Sequence, residues 1–291
     1  MKKARLQARR VITIYDRSLC EGMQGVVMQF AGRTVAAICA CLALAACGGR
    51  ARGPQGQAGA GEVLGSGYLS PPFVTEAALQ PGGAVGLTGH AQPGAHVQLT
   101  IIPSREKLFA EADPSGVWRL TVPALTQVSL YGLAATASGR TVQAEGWLAV
   151  TPDGHAAILR AGAGAALVAR PSVSPRILAL DMDRDGAAVV SGIAKPGAGL
   201  AIRIDRSPRG DVKTGPDGRF AFPLSRLGGG SHLIDVAGEG GVDAVQVSAG
   251  APAGVGVFAG SQIAQGWRID WTTPGAGAQV TVLITRAGGG S

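Results

Sequence analysis

Three carboxylates at alternate positions, Asp181, Asp183 and Asp185, stand ahead of Gly186 in the run Asp-Met-Asp-Arg-Asp-Gly. Alternating carboxylates that point inward, with a glycine at the sharp bend, are what the first half of a calcium loop requires. The second half departs from that pattern, because the twelfth position is Gly192, where a bidentate glutamate belongs. The segment is therefore read as a solvated hairpin turn, and a calcium site on Asp181, Asp183 and Asp185 is kept as the weak alternative. His90 and His96 flank a Pro-Gly turn across which two imidazoles can meet as metal ligands, but no cysteine or clear carboxylate accompanies them. Ser104-Arg105-Glu106-Lys107 and Lys213-Thr214-Gly215 reproduce two fragments of a serine-nucleophile signature, whereas the third fragment, Ser-Asp-Asn, is missing. No Gly-x-Ser-x-Gly, His-Glu-x-x-His or phosphate-loop pattern follows residue 46. That leaves zinc-hydrolytic and nucleotide chemistry without a foothold. The chain is expected to be no enzyme, with no catalytic residues and no cofactor.

The elements that carry these residues read as strands. From residue 71 short apolar runs alternate with Gly, Pro and Asp turns, and no 3.6-residue period is sustained. The chain also repeats itself. Gly89-His90-Ala91-Gln92-Pro93-Gly94-Ala95 returns as Gly192-Ile193-Ala194-Lys195-Pro196-Gly197-Ala198, and Asp113-Pro114-Ser115-Gly116-Val117-Trp118 returns around Gly215-Pro216-Asp217-Gly218-Arg219-Phe220. In each copy Pro presets φ and the following Gly accepts a positive φ, so the block turns one strand into the next. A Gly-x-Ala-x-Pro-Gly-Ala turn followed by an Asp-Gly-type turn and an aromatic strand resembles bacterial immunoglobulin-like domains. It is also similar to carboxypeptidase-regulatory-like, transthyretin-type sandwiches. The resemblance implies an all-β fold of two tandem immunoglobulin-like sandwiches, over 71–152 and 176–250. Between them 153–175 reads as a linker, whose Ala/Gly-rich run from His155 to Ala169 can pair as weak strands before Arg170-Pro171 breaks it, and 251–291 reads as a C-terminal hairpin and tail. In that hairpin Trp267, Ile269 and Trp271 fall on one face and Arg268 and Asp270 on the other, so the tryptophans are expected in a core rather than on a sugar-stacking surface.

Ahead of the repeats, the apolar run from Val35 to Ala43 follows Arg33 and ends in Leu44-Ala45-Ala46-Cys47. A dozen apolar residues behind a basic one suit a cleaved secretory signal and fall short of the ~20 needed to cross a bilayer. The tetrapeptide resembles the lipobox of bacterial lipoproteins, which implies that Cys47 is acylated and becomes the mature N-terminus. Residues 1–46 are then signal, with a true start at Met28 or Met23, and 47–70 a Gly-rich tether. Removing 1–46 leaves 19 basic and 17 acidic residues, so the formal charge of +7 shrinks to +2 and gives no basic face for nucleic acid. Of the four cysteines only Cys47 survives, so one mature chain forms no disulfide. Gly48 in place of an acidic residue implies, by the same resemblance, the outer membrane. The expected role is a non-catalytic structural or interaction module bound to the membrane through its lipid. Envelope proteins or cell-wall components are the expected partners, and a glycan- or calcium-binding module is the alternative.

Overall fold

The computed structural model describes residues 69–285, apart from 171, 255, 257 and 276. Cys47, the signal and nearly all of the tether lie outside the described residues, which are all-β: they form nineteen strands and no helix.

The first repeat folds as seven strands: β1 (Phe73–Leu79), β2 (Val85–His90), β3 (His96–Ile101), β4 (Lys107–Glu111), β5 (Val117–Val122), β6 (Ser129–Ala137) and β7 (Arg140–Val150). They pair antiparallel as a three-stranded sheet, β1-β2-β5, and as β4-β3-β6-β7. Period-two alternation decides which face is buried. In β5, Trp118, Leu120 and Val122 are buried while Arg119 and Thr121 are exposed. These side chains meet Val97, Leu99 and Leu133 of the opposite sheet in one core.

Residues 153–175, expected to be a linker, depart from that expectation. They contain β8 (Ala156–Leu159) and β9 (Ala166–Leu167), which continue the second sheet beyond β7. The second repeat then supplies β10 (Arg176–Asp183), β11 (Ala188–Ile193), β12 (Gly199–Ile204), β13 (Ser207–Lys213), β14 (Arg219–Leu224), β15 (Gly230–Gly238) and β16 (Gly241–Ala249). Its sheets are β14-β11-β10 and β13-β12-β15-β16, the same three-on-four arrangement around its own core. The equivalence reaches single hydrogen bonds. Ala91 N–H donates to Gly116 O at 2.9 Å and Ala194 N–H to Gly218 O at 2.8 Å. A bulge between Val74 and Glu76 recurs between Ile177 and Ala179.

The C-terminal segment adds β17 (Ala259–Ile263), β18 (Gly266–Thr272) and β19 (Ala278–Ile284). Beyond the expected hairpin of β18 and β19, a third strand is present, and β19 pairs with β10. One sheet of each unit is thereby widened to six strands. Their outer faces share a third apolar core, in which Leu130, Ala149, Ala157, Leu159 and Leu167 of one sheet meet Leu178, Ile193, Trp267, Ile269, Trp271 and Leu283 of the other. Four layers and three cores result.

Candidate functional site

The chemistry-bearing residues gather where the two widened sheets meet. On the β10 and β19 side a buried polar chain crosses the apolar layer. Trp271 Nε1–H donates to Thr281 Oγ1 at 3.0 Å, and the Thr281 hydroxyl donates to Asp181 Oδ1 at 2.5 Å. From the loop that leads into β9 of the opposite sheet Ala165 N–H donates to Asp181 Oδ2 at 2.6 Å, and Ser191 Oγ returns a bond to Ala165 O at 2.7 Å. Burial pushes the Asp181 carboxyl up to about 6, against the two hydrogen bonds and the charge of Arg160, which pull it down. A second carboxylate sits under Trp267, whose Nε1–H donates to Asp153 Oδ1 at 3.0 Å. The Thr151 hydroxyl bonds the same oxygen, and His155 Nδ1 lies 3.2 Å from it. Burial opposes ionisation of Asp153, but the bonds from Thr151 and Trp267 and the adjacent His155 imidazole outweigh it and hold the carboxyl below its ordinary range.

At the edge of this junction the surface opens into a groove of about 610 Å³. Its apolar lining includes Pro71, Pro72, Phe73, Ile158 and Val168, and its charged lining is two arginines and two carboxylates. Arg160 follows β8 and is steadied by donating from Nε to Gly164 O at 3.2 Å. Arg219 opens β14 of the other unit and donates from Nη1 to Leu167 O at 3.0 Å. Each has a carboxylate at longer range, Glu145 at 3.9 Å from Arg160 and Asp217 at 3.8 Å from Arg219. Burial lowers the Arg219 pKa from its ordinary value; the Asp217 charge opposes this, and the like charge of Arg160 adds to it.

The residues singled out from sequence go to other work. Asp181 is sealed in the junction, Asp183 Oδ1 accepts the Asp185 and Ala187 N–H groups to hold the β10–β11 turn, and Asp185 is exposed. The three do not converge, and among the described residues no group of three His, Cys, Asp or Glu side chains is placed to hold a metal. His90 stacks on Phe73 with ring centroids 5.6 Å apart, while His96 sits on a different sheet, 3.1 Å from Glu111. Ser104 turns β3 into β4, accepting the Glu106 N–H, and Thr214 Oγ1 donates to Lys195 O, so both fragments serve turns. Trp267 and Trp271 are 7% and 1% exposed, which withdraws them as a sugar platform. Sequence reading passed over Phe73, Arg160 and Arg219. One signal was present: Arg219 stands where the first repeat has Val117, as Asp181 stands where it has Ala78.

No protein-family model matches the chain, and no curated protein matches it either. Among solved structures it is similar to a bacterial ice-binding adhesin, at 12% identity over 74% of this chain and 88% of that one, with a TM-score of 0.20. It is also similar to invasin, a bacterial integrin-binding protein, at 13% identity over 75% of this chain and 55% of that one, TM-score 0.20. A biofilm-associated protein domain matches at 13% identity over 64% of this chain, which spans 30% of that chain's length, TM-score 0.21. At such TM-scores these likenesses carry no argument about arrangement or role.

Proposed function

We propose that the protein is a lipoprotein of the outer membrane, tethered through acylated Cys47, whose paired immunoglobulin-like sandwiches serve a non-catalytic structural or protein-interaction role in the envelope. The observation that carries this reading is the third core: it couples two sandwiches into one body behind a Gly-rich tether, which suits a spacer or a presenting platform. Stable anchoring takes at least two acyl chains, which a lipidated Cys47 would carry. The test is mass spectrometry of the mature N-terminus from membrane fractions. Acylated Cys47 is expected, with Cys47→Ser released from membranes; an unmodified terminus elsewhere overturns the anchor. Crosslinking of the tagged protein in intact cells then reports envelope partners, and their absence overturns the interaction role.

A further inference from the structure

Two guanidiniums from different sandwiches line one apolar groove, and neither completes a short ion pair. Carboxylate–guanidinium bonds are strong at about 2.7–2.9 Å, when the fork of N–H donors meets two oxygens. Arg160 and Arg219 are instead 3.9 and 3.8 Å from their carboxylates. Both are held by main-chain carbonyls, Gly164 O and Leu167 O, so each is oriented in advance with donors left over. Phe73, a 52% exposed residue whose ring stacks on His90, lines the same groove with Ile158 and Val168. The volume, about 610 Å³, lies within the ~300–1,000 Å³ of ordinary ligand clefts.

Resting on the reading of the body as an interaction module, we propose that this groove docks an extended peptide segment of a partner protein, one carboxylate side chain flanked by apolar ones. The carboxylate bridges Arg160 and Arg219, and its apolar neighbours lie on Phe73, Ile158 and Val168. Glu145 and Asp217 on the rim bring the groove's charge near balance. That balance withholds the long-range attraction a polyanionic membrane would need, and leaves the choice of a single carboxylate to the unused guanidinium donors at hydrogen-bonding range. The site exists only while the two sandwiches hold their mutual position, since its two cationic residues belong to different units.

The experiment is selection of a phage-displayed random hexapeptide library on the purified protein, followed by affinity measurement with the enriched peptide. Enrichment of one Asp or Glu between apolar residues is expected. Replacing that acid by its amide, or Arg160→Gln in the protein, should each weaken binding by about tenfold, roughly 1.4 kcal/mol. Phe73→Ser, at an exposed position whose loss leaves the cores intact, should weaken it as well, with thermal melts showing both variants folded. The proposal is overturned by no enrichment, by peptides lacking an acid, or by binding indifferent to Arg160→Gln and Phe73→Ser. Arg160-dependent binding that favours phosphatidylglycerol vesicles or tetragalacturonate over the peptide also overturns it, reassigning the groove to a headgroup or an acidic glycan. Either failure leaves the acylation of Cys47 untouched, and a failed anchor leaves the peptide result untouched.

Discussion

Asp181 and His232 bring pH dependences of the same sign to one molecule, in two different windows. The buried Asp181 carboxyl is raised from 3.8 to about 6, so the native state holds a proton there more tightly than the unfolded chain does. Stability from this group is therefore greatest below about 4 and falls as pH rises through about 6, by about 3 kcal/mol at ~1.4 kcal/mol per unit. Denaturant melts of wild type and Asp181→Asn at pH 4 and pH 7 check it: the stability difference between them should move in the variant's favour at the higher pH. Parallel pH curves would refute the assignment. Asp153 does not confuse that window, because its lowered pKa places its loss of stability at more acidic pH, as it protonates. His232 has acceptors at both ring nitrogens, Asp205 Oδ2 at 2.8 Å and Gly228 O at 2.9 Å, an arrangement that only the imidazolium satisfies fully. The Asp205 bond, against some desolvation, raises its pKa above 6.5. Its contribution is whole below 6.5 and is lost as pH rises through the folded value. An NMR titration should find the His232 midpoint above that of a free histidine and lower it in Asp205→Asn.

Within the repeat, the leading glycine of each motif belongs to a strand and is covered by the aromatic opposite it. Gly89 pairs with Trp118 and Gly192 with Phe220. A Cβ on Gly192 would lie 2.0 Å from Arg176 O and 2.7 Å from the Phe220 ring, and one on Gly89 would lie 2.2 Å from Phe73 O and 2.3 Å from Trp118. Neither backbone nor buried ring can give way cheaply, so Gly192→Ala should cost about 1–3 kcal/mol in a denaturant melt. Gly199→Ala meets nothing within 4 Å and serves as the near-neutral control. This is the part of the fold that sequence made legible: turn glycines, prolines and covering aromatics are local, and local chemistry repeats when the fold repeats. The strands in 153–175 were legible only as an Ala/Gly-rich run able to pair weakly, because Ala156 packs into one core and Ala157 and Leu159 into another, and an Ala-rich strand buried on both sides shows no alternation. The groove was hidden for a related reason. Arg160 and Arg219 are far apart in sequence, and only the meeting of two sheets brings them together.

At the scale of the molecule, the junction face is written as a difference between the copies. Where the first repeat carries Thr75, Glu76 and His90 on the outer face of β1 and β2, the second carries Leu178, Ala179 and Ile193. Those three residues join Trp267, Ile269, Trp271 and Leu283 in the third core, so the tail and the segment 153–175 act together to cover what the second repeat exposes. Asp181 was legible as an acid and misread as a surface one, since its facing sheet is invisible until that core is built. The coupling predicts how the body unfolds. With the third core intact the two sandwiches should melt as one cooperative transition monitored by tryptophan fluorescence and circular dichroism together. Trp271 is 1% exposed and anchors the core through its bond to Thr281. Trp271→Ala removes a large ring and strands the Thr281–Asp181 pair without its donor, a loss of about 3–5 kcal/mol for an aromatic truncated in a core. Because that loss falls on the layer between the sandwiches and spares the core inside each one, the variant should unfold in two separable steps. A single transition shifted by less than about 1 kcal/mol would mean that the ring lies at the surface and that the sandwiches are not coupled through it.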